Sequence, residues 1–154
     1  KAASVIVEEV TKLVVEAEEA AGKVTPGAEG LIASLGGDQD SPLAAMDSSE
    51  KEVVAVQESL ANAMTKIKEQ MDSIKGQTAK GPYTEARNSL VKLKVKVGAL
   101  ENKCKKLVQG LRTARKDMAI EAQDALLSAF RSHVMAQGIT ADALFKQLCP
   151  EGSQ

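Results

Sequence analysis

Between Leu90 and Ala125 an apolar or small residue recurs every seven places: Leu90, Val97, Cys104, Leu111, Met118 and Ala125. A second series follows three places later, at Leu93, Leu100, Leu107 and Ala114. Residues spaced three and four apart share one face of an α-helix, so the two series predict a long helix that lies along other helices. Within it, the run Val91-Lys92-Leu93-Lys94-Val95-Lys96-Val97 alternates as an amphipathic strand would. The seven-residue repeat continues on both sides of that run with no breaker, so the helical pattern is preferred. The predicted helix spans 82–137. Gly81-Pro82 suits its start, where the N–H that proline lacks would be free in any case, and Gly138 suits its C-terminal cap. Gly98 and Gly110 each weaken it by about 1 kcal/mol relative to alanine and mark bends or close approaches. After Met118 the stripe shifts to steps of four, Ala122, Leu126, Phe130 and Val134, like a stutter in a coiled coil.

Two further helices are predicted upstream. Ile6, Val10, Leu13, Ala17, Ala20 and Val24 alternate spacings of four and three, with Glu8, Glu9, Glu16, Glu18 and Glu19 on the other faces. This first helix covers about 4–24 and is expected to stop at Thr25-Pro26-Gly27. A linker over 25–48 follows, with one short helix near 28–35 and a strap crossing the bundle. The second helix is expected over 49–76, begun by a capping box of Ser49 and Glu52. Its seam is Val53, Leu60, Met64, Ile67, Met71 and Ile74. Val54, Val56, Ala61 and Ala63 broaden that face enough to meet two neighbours. The fold class is therefore all-α: an elongated antiparallel three-helix bundle. In it, 49–76 and 82–110 form a coiled-coil hairpin and the first helix lies alongside. Residues 1–137 make one helical domain. Residues 138–154 carry a short C-terminal helix with Thr140 as N-cap and Leu144, Phe145 and Leu148 on it, or the opening of a further region.

Composition supports the helical reading. Aromatic residues are limited to Tyr83, Phe130 and Phe145, and the apolar mass is aliphatic, which suits closely seated helices. The overall charge of −1 conceals a strong asymmetry. Residues 1–60 hold 4 basic and 12 acidic residues, net −8; residues 61–120 hold 14 and 5, net +9; residues 121–154 hold 2 and 4, net −2. The simplest reading packs an acidic helix against a basic one. With Leu90 at an a position, Lys94 and Arg115 fall at e and Lys96 and Lys103 at g. There they would face glutamates, with Glu9 and Glu16 the first candidates. Lys92, Lys105, Lys106, Arg112 and Lys116 point outward as a basic stripe.

No constellation for chemistry emerges. His133 stands alone, with no Cys/His set at metal-ligand spacing. Gly36-Gly37 lacks the lysine and hydroxyl residue of a phosphate-binding loop. The fragment Asp38-Gln39-Asp40 is too short for a calcium loop. No catalytic, cofactor-binding or metal-binding residue is assigned, and the chain reads as a non-enzyme without a cofactor. Cys104 lies on the apolar seam and Cys149 near the C-terminus, which argues against a disulfide framework and for a reducing intracellular compartment. No apolar run approaches a membrane span, and no secretory signal pattern is present. The chain opens at Lys1 rather than methionine, as expected of a fragment or a processed product.

The second helix covers only about half of the third. Leu111, Met118, Leu126, Leu127 and Phe130 are therefore expected to stay partly bare, which marks a contact for protein partners or self-association. The expectation is a structural or adaptor subunit of a larger assembly. The alternative is a charge-driven binder of nucleic acid, an acidic filament or an anionic membrane surface, acting through the basic stripe 92–116. Nucleic acid is disfavoured by the lack of aromatics and arginines among those lysines. A membrane surface is disfavoured by the lack of a Trp/Phe-rich apolar face.

Overall fold

The computed structural model describes residues 2–34, 42–77 and 81–138. They form three helices: α1 (Ala3–Ala33), α2 (Pro42–Ser73) and α3 (Pro82–Ala136). The fold is an all-α three-helix bundle, with no strand among the described residues. The chain divides into two compact units, 1–115 and 116–154. The packing described next lies within the first.

The ambiguous run 91–97 is helical. Its alternation does not correspond to faces: Val95 is 68% exposed, whereas Val97 is fully buried. The a series of α3 forms the core row, with Leu90, Val97, Cys104 and Leu111 all buried. Ala86, Leu107 and Ala114 from the d series join them, while Leu93 and Leu100 are half-buried. On α2 the core row is Met46, Ser49, Val53, Val56, Leu60, Ala63 and Ile67, an unbroken three–four alternation. Ile74 extends it into the following turn. The expected seam residues Met64 and Met71 lie on its flank, half-buried, because Ala63 and its row point more directly inward.

α1 departs from the expected spacing. Its buried row is Ala3, Ile6, Val10, Val14, Ala17, Ala21, Thr25 and Ala28. The steps are three, four, four, repeated, so the period is eleven residues rather than seven. Eleven residues in three turns is about 3.67 per turn, near the natural pitch of a straight helix. Leu13, Ala20 and Val24, placed in the seam by a three–four template, are therefore only half-buried. The neighbours Val14, Ala21 and Thr25 take the core instead. Much of the α1 row is alanine, and α2 adds Ser49 and Ala63. Such small side chains let two backbones draw near, and α1 and α2 do come within 8 Å of each other.

Three expected boundaries are corrected. α1 does not end at Pro26 but continues to Ala33, so 25–33 is helix rather than linker. Proline removes one N–H and frees the carbonyl four residues earlier. Here that carbonyl belongs to Gly22, and both Gly22 and Pro26 are exposed, so water can satisfy it. Thr25 and Ala28 stay buried on the opposite side and hold the helix on course. Replacing Pro26 by alanine is expected to raise the melting midpoint by about 4–8 °C, from roughly 2 kcal/mol of recovered helix. A lowered midpoint in a thermal melt would mean that the bundle needs a proline bend there.

The second correction concerns the start of α2. It begins at Pro42, not Ser49. A proline in the first turn is a favoured opening, and the extra turns bring Met46 into the core. Ser49 is buried inside the helix and caps nothing at its end. Third, the short helix expected near 28–35 is the last part of α1. The predicted start and stop of α3 agree with the structure. Gly81 adopts φ 103° and Gly138 φ 60°, both left-handed conformations that favour glycine. Thr84 N–H donates to Gly81 O at 2.9 Å. The strap over 35–41 and the C-terminal helix after Gly138 lie outside the described residues.

Ion pairs and contacts fix the helix directions. Arg112 on α3 reaches Glu50 near the start of α2, so these two run antiparallel. Glu18 meets Lys96, Glu29 meets Lys103, and Ile32 meets Gly110, so α1 and α3 run parallel. The two glycines of α3 differ in role. A methyl group built on Gly110 would lie 2.8 Å from Ile32 Cδ1, whereas one on Gly98 meets nothing within 4 Å. Gly110 is a notch that receives α1; Gly98 is open. Gly98→Ala is expected to stabilise the bundle by about 1 kcal/mol. Gly110→Leu is expected to destabilise it by roughly 1–3 kcal/mol, by overpacking against Ile32. Equal effects of the two substitutions in urea titrations would contradict the notch.

Candidate functional site

Within residues 1–115 several charged groups pair across the helix contacts. Lys96 Nζ lies 2.7 Å from Glu18 Oε2, and Lys103 Nζ lies 3.3 Å from Glu29 Oε1. The acidic partners of Lys96 and Lys103 are thus Glu18 and Glu29. Glu18 lies on the flank of the α1 core row opposite to Glu9 and Glu16, and that flank meets α3. Arg115, expected to face α1, instead reaches α2. Its two terminal nitrogens each lie 3.4 Å from an acidic oxygen, one on Asp47 and one on Glu50. Arg112 Nε donates to Glu50 Oε1 at 2.6 Å. The side chain of Glu50 is only 14% exposed, enclosed by the two arginines. Lys51 donates to Asp47 at 2.7 Å. That hydrogen bond and the charge of Lys51, with a smaller contribution from Arg115, hold the Asp47 carboxyl below the usual carboxylate range. The groove lined by Asp47, Glu50, Lys51, Val54, Ala55, Glu58 and Arg115 holds the Asp47–Lys51, Asp47–Arg115 and Glu50–Arg115 pairs.

The basic stripe is thinned by these pairs. Lys92, Lys105, Lys106 and Lys116 are exposed as expected, and so is Lys94. Arg112 is exposed as well but engaged by Glu50. Cys104 is a free thiol, 3% exposed, and burial raises its pKa above the ordinary thiol range. It occupies the core row of α3 as a small apolar residue. His133 lies exposed in the last turn of α3. Among the described residues no group of histidine, cysteine and carboxylate side chains is arranged to hold a metal ion. No helix of the described residues is long and apolar enough to cross a membrane.

The second unit presents a different surface. Every described residue from Ala119 to His133 is exposed. Of the expected contact residues, Leu126 is 72% exposed, and Leu127 and Phe130 are each 45% exposed. Met118 is half-buried. Leu111 must be removed from that group: it is 1% exposed and belongs to the core of the first unit. Two exposed apolar residues were not anticipated, Ile120 and Met135. Ile120 was legible in principle. Ile120, Gln123, Leu127, Phe130 and Val134 are spaced three, four, three, four, a second helical row out of phase with the one that ends at Leu111 and Ala114. Asp117, Asp124, Ser128 and Arg131 line its other side. Ile120, Leu127 and Phe130 of this row are open to solvent. No family model, curated protein or solved structure matches this chain.

Proposed function

We propose that this chain is a non-catalytic structural or adaptor subunit that docks protein through the apolar side of residues 116–136. The observation that carries the reading is the contrast between the two units. Residues 1–115 enclose an apolar core drawn from all three helices, and their exposed large apolar residues, Val5, Val15, Leu43, Val91 and Val95, are spread over three helices. Residues 116–136 leave Ile120, Leu126, Leu127 and Phe130 exposed along one helix. Isolated exposed apolar residues need no explanation, but a row of them at helical spacing on an amphipathic helix favours a partner. A reducing compartment suits the enclosed free thiol of Cys104.

The charge-driven alternative is separated by salt. A photoreactive residue placed at Phe130 is expected to form adducts with protein that persist at about 0.5 M salt, because apolar docking is weakly screened. One placed at Glu121, on the polar side, is expected to form few. Adducts at both positions alike, or adducts at Phe130 abolished by salt, would overturn the reading.

A further inference from the structure

We propose that a second copy of the same segment occupies this face, laid antiparallel across a two-fold axis at Ala125. The inference rests on the docking role of residues 116–136 and adds the occupant. It follows from register and charge. With Ile120, Leu127 and Val134 as one knob series and Lys116, Gln123 and Phe130 as the other, antiparallel pairing sets each series against the other. Ile120 then opposes Phe130 of the second copy and Gln123 opposes Leu127. Val134 lies on the aliphatic stem of Lys116. The flanking positions follow without further choice. Asp117 meets Arg131 of the second copy, twice by symmetry, and Leu126 meets its own mate. Only Asp124 meets a like charge, its own mate. A parallel arrangement matches no charges: it sets Leu126 beside Arg131 and Asp124 beside Ala119, and stacks Gln123 on Gln123.

Asp117, Asp124 and Arg131 take part in no ion pair among the described residues, so they are available for this pairing. Because the two faces are the same patch, the assembly closes at a dimer. The row is short and carries a glutamine near its centre, so the dimer is concentration-dependent.

The test is sedimentation equilibrium of the full chain from about 5 µM to about 500 µM, a span suited to a weak dimer. A monomer–dimer equilibrium is expected. Arg131→Asp removes two attractions and adds two repulsions, and is expected to raise the dissociation constant about tenfold. The charge swap Asp117→Arg with Arg131→Asp is expected to restore it to within about threefold. Asp124→Asn is expected to tighten the dimer. In a Cys149→Ser background, Leu126→Cys is expected to oxidise to a covalent dimer and Phe130→Cys is not. A monomer throughout the range, a dimer indifferent to the charge swap, or covalent pairing through Phe130→Cys would overturn the proposal. Failure of self-pairing is distinct from failure of docking. A monomeric chain that still gives salt-resistant adducts to another protein at position 130 sinks only the second copy as occupant. A monomeric chain without such adducts sinks both.

Discussion

Leu60→Asp is expected to leave residues 1–115 without a stable fold. Leu60 is fully buried on α2, in the unbroken row between Val56 and Ala63. Removing a leucine of this kind costs about 2–5 kcal/mol through lost transfer energy and the cavity left behind. An unpaired carboxylate in its place adds a desolvation cost of several kcal/mol. A domain of this size has roughly 5–15 kcal/mol in total, so the sum reaches or exceeds the whole margin. Circular dichroism should show loss of the cooperative thermal transition. Val95→Asp is the matched control. Val95 looks equivalent to Val97 in a strand pattern, yet it is 68% exposed, so its substitution should shift stability by less than about 0.5 kcal/mol. A sensitive Val95 together with a tolerant Leu60 would contradict the packing described for the bundle.

The second large effect is expected on association rather than on folding. Leu127→Asp with Phe130→Asp places two charges in the middle of the exposed row. Both residues are 45% exposed and lie beyond the first unit, so its melting should change by less than about 0.5 kcal/mol. Docking through that face should instead weaken by about a hundredfold or more, since central apolar anchors carry most of an interface's energy and charges there are left unpaired. Light scattering reads the self-association, and differential scanning calorimetry reads the fold. A large fall in melting temperature with unchanged association would mean that Leu127 and Phe130 are core residues of the second unit.

The fold was legible in proportion to how strictly each helix keeps a period of seven. α2 and α3 alternate three and four, so Val53, Leu60, Ile67, Leu90, Val97, Cys104 and Leu111 could be placed inside from spacing alone. α1 keeps a period of eleven. A seven-residue template agrees with it at Ile6, Val10 and Ala17 but places Leu13, Ala20 and Val24 where Val14, Ala21 and Thr25 are buried. The ion-pair partner of Lys96 is Glu18, which lies about 160° around the helix from Glu16, so it is the other flank of the α1 core row that meets α3. Pro26 was misread for another reason. Local rules treat proline as a stop, but the decisive facts are that its ring faces water and that its helix is held by Thr25 and Ala28 from the other side.

The candidate surface was legible in outline. The change of phase after Met118 points to Leu126 and Phe130, both exposed. Leu111 was misplaced because it continues the first row, and nothing local marks where one row ends and the next begins. The terminus of the core became visible only from burial: Ala114 is the last buried residue of α3.

Hydrogen exchange followed by mass spectrometry, on the dilute monomer, tests the central claim most directly. That claim is that three helices pack on one another up to Arg115 while residues 119–133 of α3 stay exposed. Amides flanking Leu60, Val10 and Val97 should exchange only through global unfolding, and those of 119–133 should exchange orders of magnitude faster through local opening. Protection over 119–133 equal to that around Leu60, in a sample verified as monomeric, would contradict it.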